Sequence, residues 1–367
     1  MDIPQGYKQT ELGIIPEDWE IVNLGSVAKI NGRIGFRGYT TADLVGVGQG
    51  AYTIGGKHIT NMVLDLHDAE YISWQKYYES PEIMVRKGDI VFAQRGTLGK
   101  SAFIVNDIGP ATINPSLVLI NKIKCDNEYL SYWLQCDKIV EYICSINSQT
   151  SIPMITQNQI EHIPVVLSRI KAEQQAIAEA LGDIDGLIAT LNKKIAKKRL
   201  IKQGAMSQLL TGKKRLPGFS GPWMERKLGA ISHIKTGSCN GDQAVDNGKY
   251  PFFVRSQKVY AIDSYSYDGE AILVPGEGGI GSIFHYINGK FDYHQRVYKI
   301  SDFADNVCGK YIFFYMSRYF GEYALSLTVK ATVDSLRLPT FEEFVICMPL
   351  NIEEQQAIAT ILDDMDR

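Results

Sequence analysis

The chain has no Cys-x-x-Cys pair. It has no apolar run approaching the roughly 18 residues a membrane span needs. No apolar core follows its polar start, MDIPQGYKQTELG, so that segment does not read as a secretory signal. Six cysteines (Cys125, Cys136, Cys144, Cys239, Cys308, Cys347) are scattered along the chain. That scatter predicts reduced, mostly buried thiols in a cytoplasmic protein rather than a disulfide framework. Six histidines (His58, His67, His162, His233, His285, His294) lack metal-ligand spacing. No glycine-rich loop ends in the lysine of an ATP-binding loop. Charge of one sign is missing too. The 38 Lys and Arg against 41 Asp and Glu leave a formal net charge of −3, which excludes a uniformly basic nucleic-acid coat but not a local basic face.

What the chain does have is repetition. AEQQAIAEALGDID (residues 172–185) returns 181 residues later as EEQQAIATILDDMD (residues 353–366). WEIVNLGSVAKINGR (19–33) resembles WMERKLGAISHIKTG (223–237), each with Trp, then Leu-Gly five residues on. GDIVFAQRGTLGKSAFI (88–104) resembles GEAILVPGEGGIGSIFHYI (269–287), and each reads as strand, glycine-rich turn, strand. EYLSYWL (128–134) and KYIFFYM (310–316) read as short amphipathic helices with an inward aromatic face. IPMITQNQIEHIPV (152–165) resembles VDSLRLPTFEEFVICMP (333–349). With 367 residues and 45% apolar content, each half can bury its own core.

The fold class expected is therefore α+β: two similar mixed α/β domains joined by a long coiled-coil-type helix, with a second, shorter helix at the C-terminus. The boundaries read as 1–168 for the first domain, 169–212 for the helix, 213–348 for the second domain and 349–367 for the start of a distal helix. Matched landmarks lie 181 to 204 residues apart, a variation that suits one scaffold carrying different loops. The first helix should run from about Lys171 to Leu210, with Gly204 a candidate break. It carries a seam of alternating four- and three-residue spacings: Ile177, Leu181, Ile184, Ile188, Leu191 and Ile195. The second helix repeats the seam with Ile358, Leu362 and Met365, and two matching seams predict mutual pairing. Residues 193–215 then hold nine Lys and Arg and no acid. This run reads equally as a solvated helix end or as a phosphate or partner contact.

Two motifs invite enzymatic readings. GEGGIG (276–281) fits the dinucleotide pattern, but that site needs the loop to open a helix, and the SIFHYI that follows reads as a strand. INPSL (113–117) lacks the second Pro and the aromatic of the amino-methyltransferase motif. No methyltransferase activity, metal or cofactor is expected in this chain.

Base edges are read by Arg, Lys, Asn, Gln, Ser and Thr, and phosphates are held by cations and backbone amides. The loops offer such groups at matching places in the two copies. In the first these are Lys57 and His58; Arg95, Thr97 and Lys100; and Gln149, Thr150 and Ser151. In the second they are Arg255, Ser256, Gln257 and Lys258; His294, Gln295 and Arg296; and Lys330 and Thr332. Singly, each reads better as an exposed polar residue without a role; as loop clusters at matching places in two copies, the two readings stand level. Because the two loop sets differ, any two targets they read should differ.

GYKQTELGIIPEDWE (6–20), the central AEQQAIAEALGDIDGLIATLNKKIAKKRLIKQGAMSQLLTG and the linker KKRLPGF followed by Trp223 resemble the specificity subunit of type I restriction-modification systems, a host-defence family. The resemblance covers essentially the whole chain, and the central helix with its ending is its most specific part. It implies two target recognition domains, each reading one half of a bipartite, asymmetric double-stranded DNA sequence, with the helices as spacer. It implies a subunit without catalysis that joins two methyltransferase subunits, which bring S-adenosylmethionine, and then restriction subunits driven by ATP. In that family the second helix is about as long as the first and packs antiparallel to it. Here about fourteen residues of it are present, so the unpaired seam is expected to recruit methyltransferase helices or a second copy of this chain. Two other classes compete: a fused nuclease or methyltransferase with a weak site, and a two-headed adaptor that binds proteins.

Overall fold

The computed structural model describes residues 3–147, 153–327 and 335–366, with the side chain of Phe36 set aside. It divides into two compact units, Met1–Ala189 and Thr190–Arg367. In the first, an antiparallel sheet is ordered Ser101–Phe103, Ile90–Ala93, Leu117–Asn121, Lys29–Gly32. Ile90–Ala93 (IVFA) and the start of Leu117–Asn121 are apolar without alternation because both faces of the sheet are covered. Successive side chains point to opposite faces. Ile90, Phe92, Val118 and Ile120 pack on the helices Asn127–Trp133 and Asp137–Ser145. Val91, Ala93, Leu117 and Leu119 pack on a second sheet through Ile54, Ala111 and Ile113.

The second unit has one six-stranded sheet, ordered His233–Thr236, Val297–Ser301, Tyr267–Pro275, His285–Tyr293, Tyr250–Phe253, Tyr260–Ile262. Its first four strands, read from the opposite edge, match the four of the first unit in order and direction, His233–Thr236 answering to Lys29–Gly32. Ile272, Val274 and Ile300 pack on the helix Gly309–Leu327, and Ala271, Leu273 and Val297 meet Phe253 and Phe291. That helix is longer than the short one its sequence suggested.

The repeated motifs have repeated physical jobs. Leu24 and Leu228 are fully buried, and their N–H groups donate to Ile163 O at 2.9 Å and Phe344 O at 2.8 Å. The glycine after each leaves room for a short helix. A Cβ on Gly25 would lie 3.1 Å from Cβ of Glu161, and one on Gly229 would lie 2.9 Å from Cβ of Glu342. The Gln of EQQAIA is buried in both copies. Gln174 accepts from the N–H of Asp126 at 2.8 Å and donates to Ser168 O at 2.7 Å. Gln355 accepts from the N–H of Cys308 at 2.8 Å and donates to Pro349 O at 2.9 Å and Asn306 O at 3.1 Å. Each amide ties the last strand of its unit, the helix that follows it and the start of an interior helix into one corner.

The central helix is continuous over Lys171–Leu209, through Gly204, and at 1.5 Å per residue is about 58 Å long. Along it Ile177 is half-buried against the first core, while Leu181, Ile184, Ile188, Leu191 and Ile195 are exposed. The second stripe behaves differently. In the closing helix Ile352–Asp364, Ile358 and Leu362 are buried in the core of their own unit, beside Met206, Leu209 and Leu210; only Met365 is exposed. The expectation that Ile358 and Leu362 present a seam to a partner is therefore corrected. Their helix is pinned down by the Gln355 corner, by two hydrogen bonds from Arg215 to Glu354 (2.7 and 2.8 Å) and by Lys310 on Asp363 at 2.7 Å.

The glycine contacts predict a graded pair of substitutions. Gly229→Ala must displace Glu342 and its backbone and should cost about 1–3 kcal/mol of stability. Gly25→Ala meets its neighbour slightly further off, 3.1 Å from Glu161 Cβ and 3.4 Å from its carbonyl oxygen, and should cost less. Denaturant melts of the two variants check the order.

Candidate nucleic-acid interface

Each unit carries a glycine-rich hairpin at the same place in its sheet. In the first it spans residues 94–100, between Ile90–Ala93 and Ser101–Phe103; in the second it follows Pro275 and leads into His285–Tyr293. The first turn has positive φ at two glycines, 79° at Gly96 and 78° at Gly99; the second has it at three, 69° at Gly278, 75° at Gly279 and 65° at Gly281. A Cβ on Gly281 would collide with the backbone of Gly321. GEGGIG is thus a hairpin, with a strand after it rather than a helix N-terminus for a pyrophosphate.

Hydrogen bonds align the two sites residue by residue. Gln94 O accepts from Ile155 N–H at 3.0 Å, and Gly276 O from Leu336 N–H at 2.8 Å. Ser116 O accepts from Gln94 N–H at 3.0 Å, and Arg296 O from Gly276 N–H at 2.8 Å. Asn114 Oδ1 accepts from the N–H of Ser116 at 2.9 Å, and His294 Nδ1 from the N–H of Arg296 at 2.9 Å. Hence Arg95 stands where the second unit has Glu277, Ser116 where it has Arg296, and Asn114 where it has His294. Arg95 and Glu277 each form an isolated antiparallel bridge with the segment beyond the hairpin, to Met154 and Ser335.

In the first unit, Lys57, Arg95, Thr97 and Lys100 line one concavity of about 510 Å³ together with Asn114 and Ser116. Lys57, Arg95, Thr97 and Lys100 are exposed. Lys57 Nζ lies 3.5 Å from Asp68. His58 is not a surface contact as expected. It is 2% exposed, its Nδ1 accepts from the N–H of Gly55 at 2.9 Å, and burial, then Lys57, lowers its pKa. It is a neutral turn-former.

In the second unit, Arg255 and Arg296 converge on one carboxylate. Glu277 Oε1 lies 3.0 Å from Nη1 of Arg296, and Oε2 lies 3.3 Å from Nη1 of Arg255. Arg255, half-buried Ser256 and His294 line a hollow of about 290 Å³ with Gly241, Val254 and Tyr260. Gln257, Lys258, Gln295 and Arg296 are exposed beside it. The Gln295 amide donates to Asn240 Oδ1 at 2.7 Å, and Lys258 Nζ sits 4.9 Å from the centre of the Tyr260 ring. His294, like His58, is buried, with only its edge reaching the lining of the hollow. Gln149, Thr150, Ser151, Lys330 and Thr332 lie outside the described residues. Sequence reasoning missed Glu277, Asn114 and Ser116. The aligned hairpins carried a signal for the first, since Glu277 answers to Arg95 in the repeat.

Of the nine cations at residues 193–215, Lys202 pairs with Asp366 and Arg215 with Glu354, so these two hold the fold. Lys193, Lys194, Lys197, Lys198 and Arg199 are exposed. All six cysteines are free thiols; Cys125 is buried, which pushes its pKa up to about 11, and Cys144 is exposed. Among the described residues no group of three or more His, Cys, Asp or Glu could hold a metal ion, and no helix is long and apolar enough to cross a membrane. What these sites present is cations, amides and hydroxyls on rigid turns, the groups that recognise phosphates and base edges.

Comparison with known proteins gives a consistent set of likenesses. The family model of the type I restriction modification DNA specificity domain matches residues 16–198 and again 221–367. The MjaVIII type I restriction enzyme specificity subunit of Methanocaldococcus jannaschii is 25% identical over 99% of this chain and 89% of its own length. The MjaX specificity subunit from the same organism is 29% identical over 56% of this chain; the match spans about half, 49%, of that relative. In fold, the chain is similar over its whole length to the S subunit from M. genitalium, with a TM-score of 0.68 at 14% identity over 91% of that chain. A chain from a structure of type I assembly and conformational transition gives 0.54 at 19% identity, over 96% of this chain and 90% of that one.

Burial, and then Arg255 and Arg296, hold the His294 imidazole below its ordinary value of 6.5. The folded unit therefore takes up a proton less readily than the unfolded chain. The stability this leaves is full above the ordinary value and declines as pH falls through it. Asn114 does the same turn-forming work without titrating. His294→Asn should keep the fold and lessen the loss of melting temperature between about pH 8 and about pH 5, read by thermal melts at both.

Proposed function

The chain belongs to the type I restriction modification DNA specificity family, and on that premise we propose how its two units are used. Each unit is a target recognition domain that reads one half of a bipartite double-stranded DNA site. The observation that carries this reading is the pair of aligned hairpins. They share anchoring hydrogen bonds and positive φ at two matching glycines, yet carry Arg95 and Ser116 in one and Glu277 and Arg296 in the other. A shared frame with unlike side chains is what two different half-sites require. The exposed Lys57 and Lys100 of the first unit's concavity supply the phosphate contacts that set register.

The central helix acts as the spacer. Its exposed stripe, with Ile184 and Ile188 each about half exposed (55% and 51%), docks the helices of methyltransferase subunits, two in the full complex, or a second copy of this chain. The chain itself performs no catalysis. S-adenosylmethionine and ATP belong to methyltransferase and restriction partners, and the complex works in the cytoplasm, where the DNA lies.

Random-sequence DNA selection, with the chain assembled on its methyltransferase subunits, tests the reading. Two unlike half-sites at a constant gap are expected. A palindrome would mean one active unit per chain, and no enrichment at all would overturn the reading. For the docking stripe, the double variant Ile184→Glu, Ile188→Glu should abolish co-purification with methyltransferase subunits while the melting temperature stays put. Unchanged association would place the contact elsewhere.

A further inference from the structure

The second unit contains a charge arrangement that its ordinary surface chemistry does not require. Glu277 takes one nitrogen from each of two arginines that reach it from different segments, Arg255 after the strand Tyr250–Phe253 and Arg296 before the strand Val297–Ser301. The carboxylate is the sheltered partner, with 22% of its side chain exposed, against 51% for Arg255 and 59% for Arg296. Among the described residues, the hydrogen bonds to Glu277 engage only Nη1 of each guanidinium. The far edge of each fork, Nη2 with Nε, faces away from that bond. The backbone is equally constrained. Gly276 is fixed by Arg296 O and Leu336 N–H, and His294 fixes the N–H of Arg296.

An arginine whose position is held by a carboxylate loses less freedom when its other edge binds, and that edge matches a guanine, whose O6 and N7 accept two parallel hydrogen bonds in the major groove. We propose that Glu277 is a positioning residue that presents Arg255 and Arg296 as readers of guanine in the half-site of the second unit. At the equivalent positions the first unit has Arg95 and Ser116; among the described residues its hairpin, 94–100, holds no carboxylate, and Glu70 lines the concavity beside it. The inference rests on the DNA-reading role proposed above. It adds which side chains set one half-site and which base they select.

The test compares selected DNA for the wild-type chain and for Arg255→Ala, Arg296→Ala, Arg296→Lys and Glu277→Gln, each assembled with methyltransferase subunits and each checked by thermal melt. Wild-type selection should show guanine in the half-site assigned to the second unit, and Arg95→Ala, altering the other half-site, makes that assignment. Arg296→Ala should lose roughly 5- to 150-fold discrimination at one base position of that half-site and leave the other half-site intact. Arg296→Lys, which keeps the charge but not the fork, should fall between. Glu277→Gln should weaken discrimination at the positions of both arginines together, with overall affinity at low salt kept. Four results would overturn the proposal: no guanine in that half-site, an equal loss across all sequences (phosphate contacts), variants with the wild-type preference (an ion pair that only holds the loop), or Glu277→Gln changing only the melt. If the wild-type complex enriches no bipartite sequence, the DNA-reading role itself fails. If it enriches one that the variants leave unchanged, only the arginine–glutamate inference does.

Discussion

The structure depends on a buried amide. Gln174 and Gln355 each sit at the first turn of a helix, cut off from water, with carbonyl and amino groups both satisfied by backbone. An unmade bond to such a group costs about 1–3 kcal/mol, so the helix start, the last strand and the entry to an interior helix hold together or come apart together. The direction in which each helix sets off from its last strand is thereby set by hydrogen bonds of fixed geometry rather than by apolar contact alone, which tolerates sliding. A protein that uses a helix as a spacer needs that constraint at the point where the helix is attached.

Much of this was readable in the sequence because it was written twice. The EQQAIA start, the Leu-Gly after Trp and the glycine-rich strand–turn–strand each recur, and each proved to be a place where side-chain size or hydrogen bonding leaves little choice: Gln355 in its corner, Gly229 against Glu342, Gly281 against Gly321. The heptad spacing in the closing helix misled because periodicity reports an apolar face but not what covers it. Ile358 and Leu362 are covered by their own core. His58 and His294 looked like surface readers because a histidine in a polar loop carries no mark of burial. Their burial follows from a turn that needs an acceptor for a backbone N–H, which local sequence does not reveal. Glu277 is not legible as a site residue because nucleic-acid recognition points to cations and not to carboxylates, although here the carboxylate organises the cations.

The two units also divide their labour differently. In the first, a small four-stranded sheet is backed by a second sheet, and the polar concavity lies beside the hairpin. In the second, one six-stranded sheet extends under the corresponding ground, and the polar groups condense into an ion cluster. Divergence has therefore fallen on the hairpin side chains and on what surrounds them, while the order of four strands, the corner amides and the conformation of two hairpin glycines have stayed the same.

The hairpin glycines carry one more implication. Gly96 and Gly99, and likewise Gly278 and Gly281, commit the backbone to its path whatever side chain stands just before them. The residue at the Arg95 and Glu277 position can therefore reverse its charge without the loop being rebuilt. In evolutionary terms, the mutational distance between two such surfaces is short: a few codon changes on an inherited backbone, none of which has to pass through an unfolded intermediate sequence.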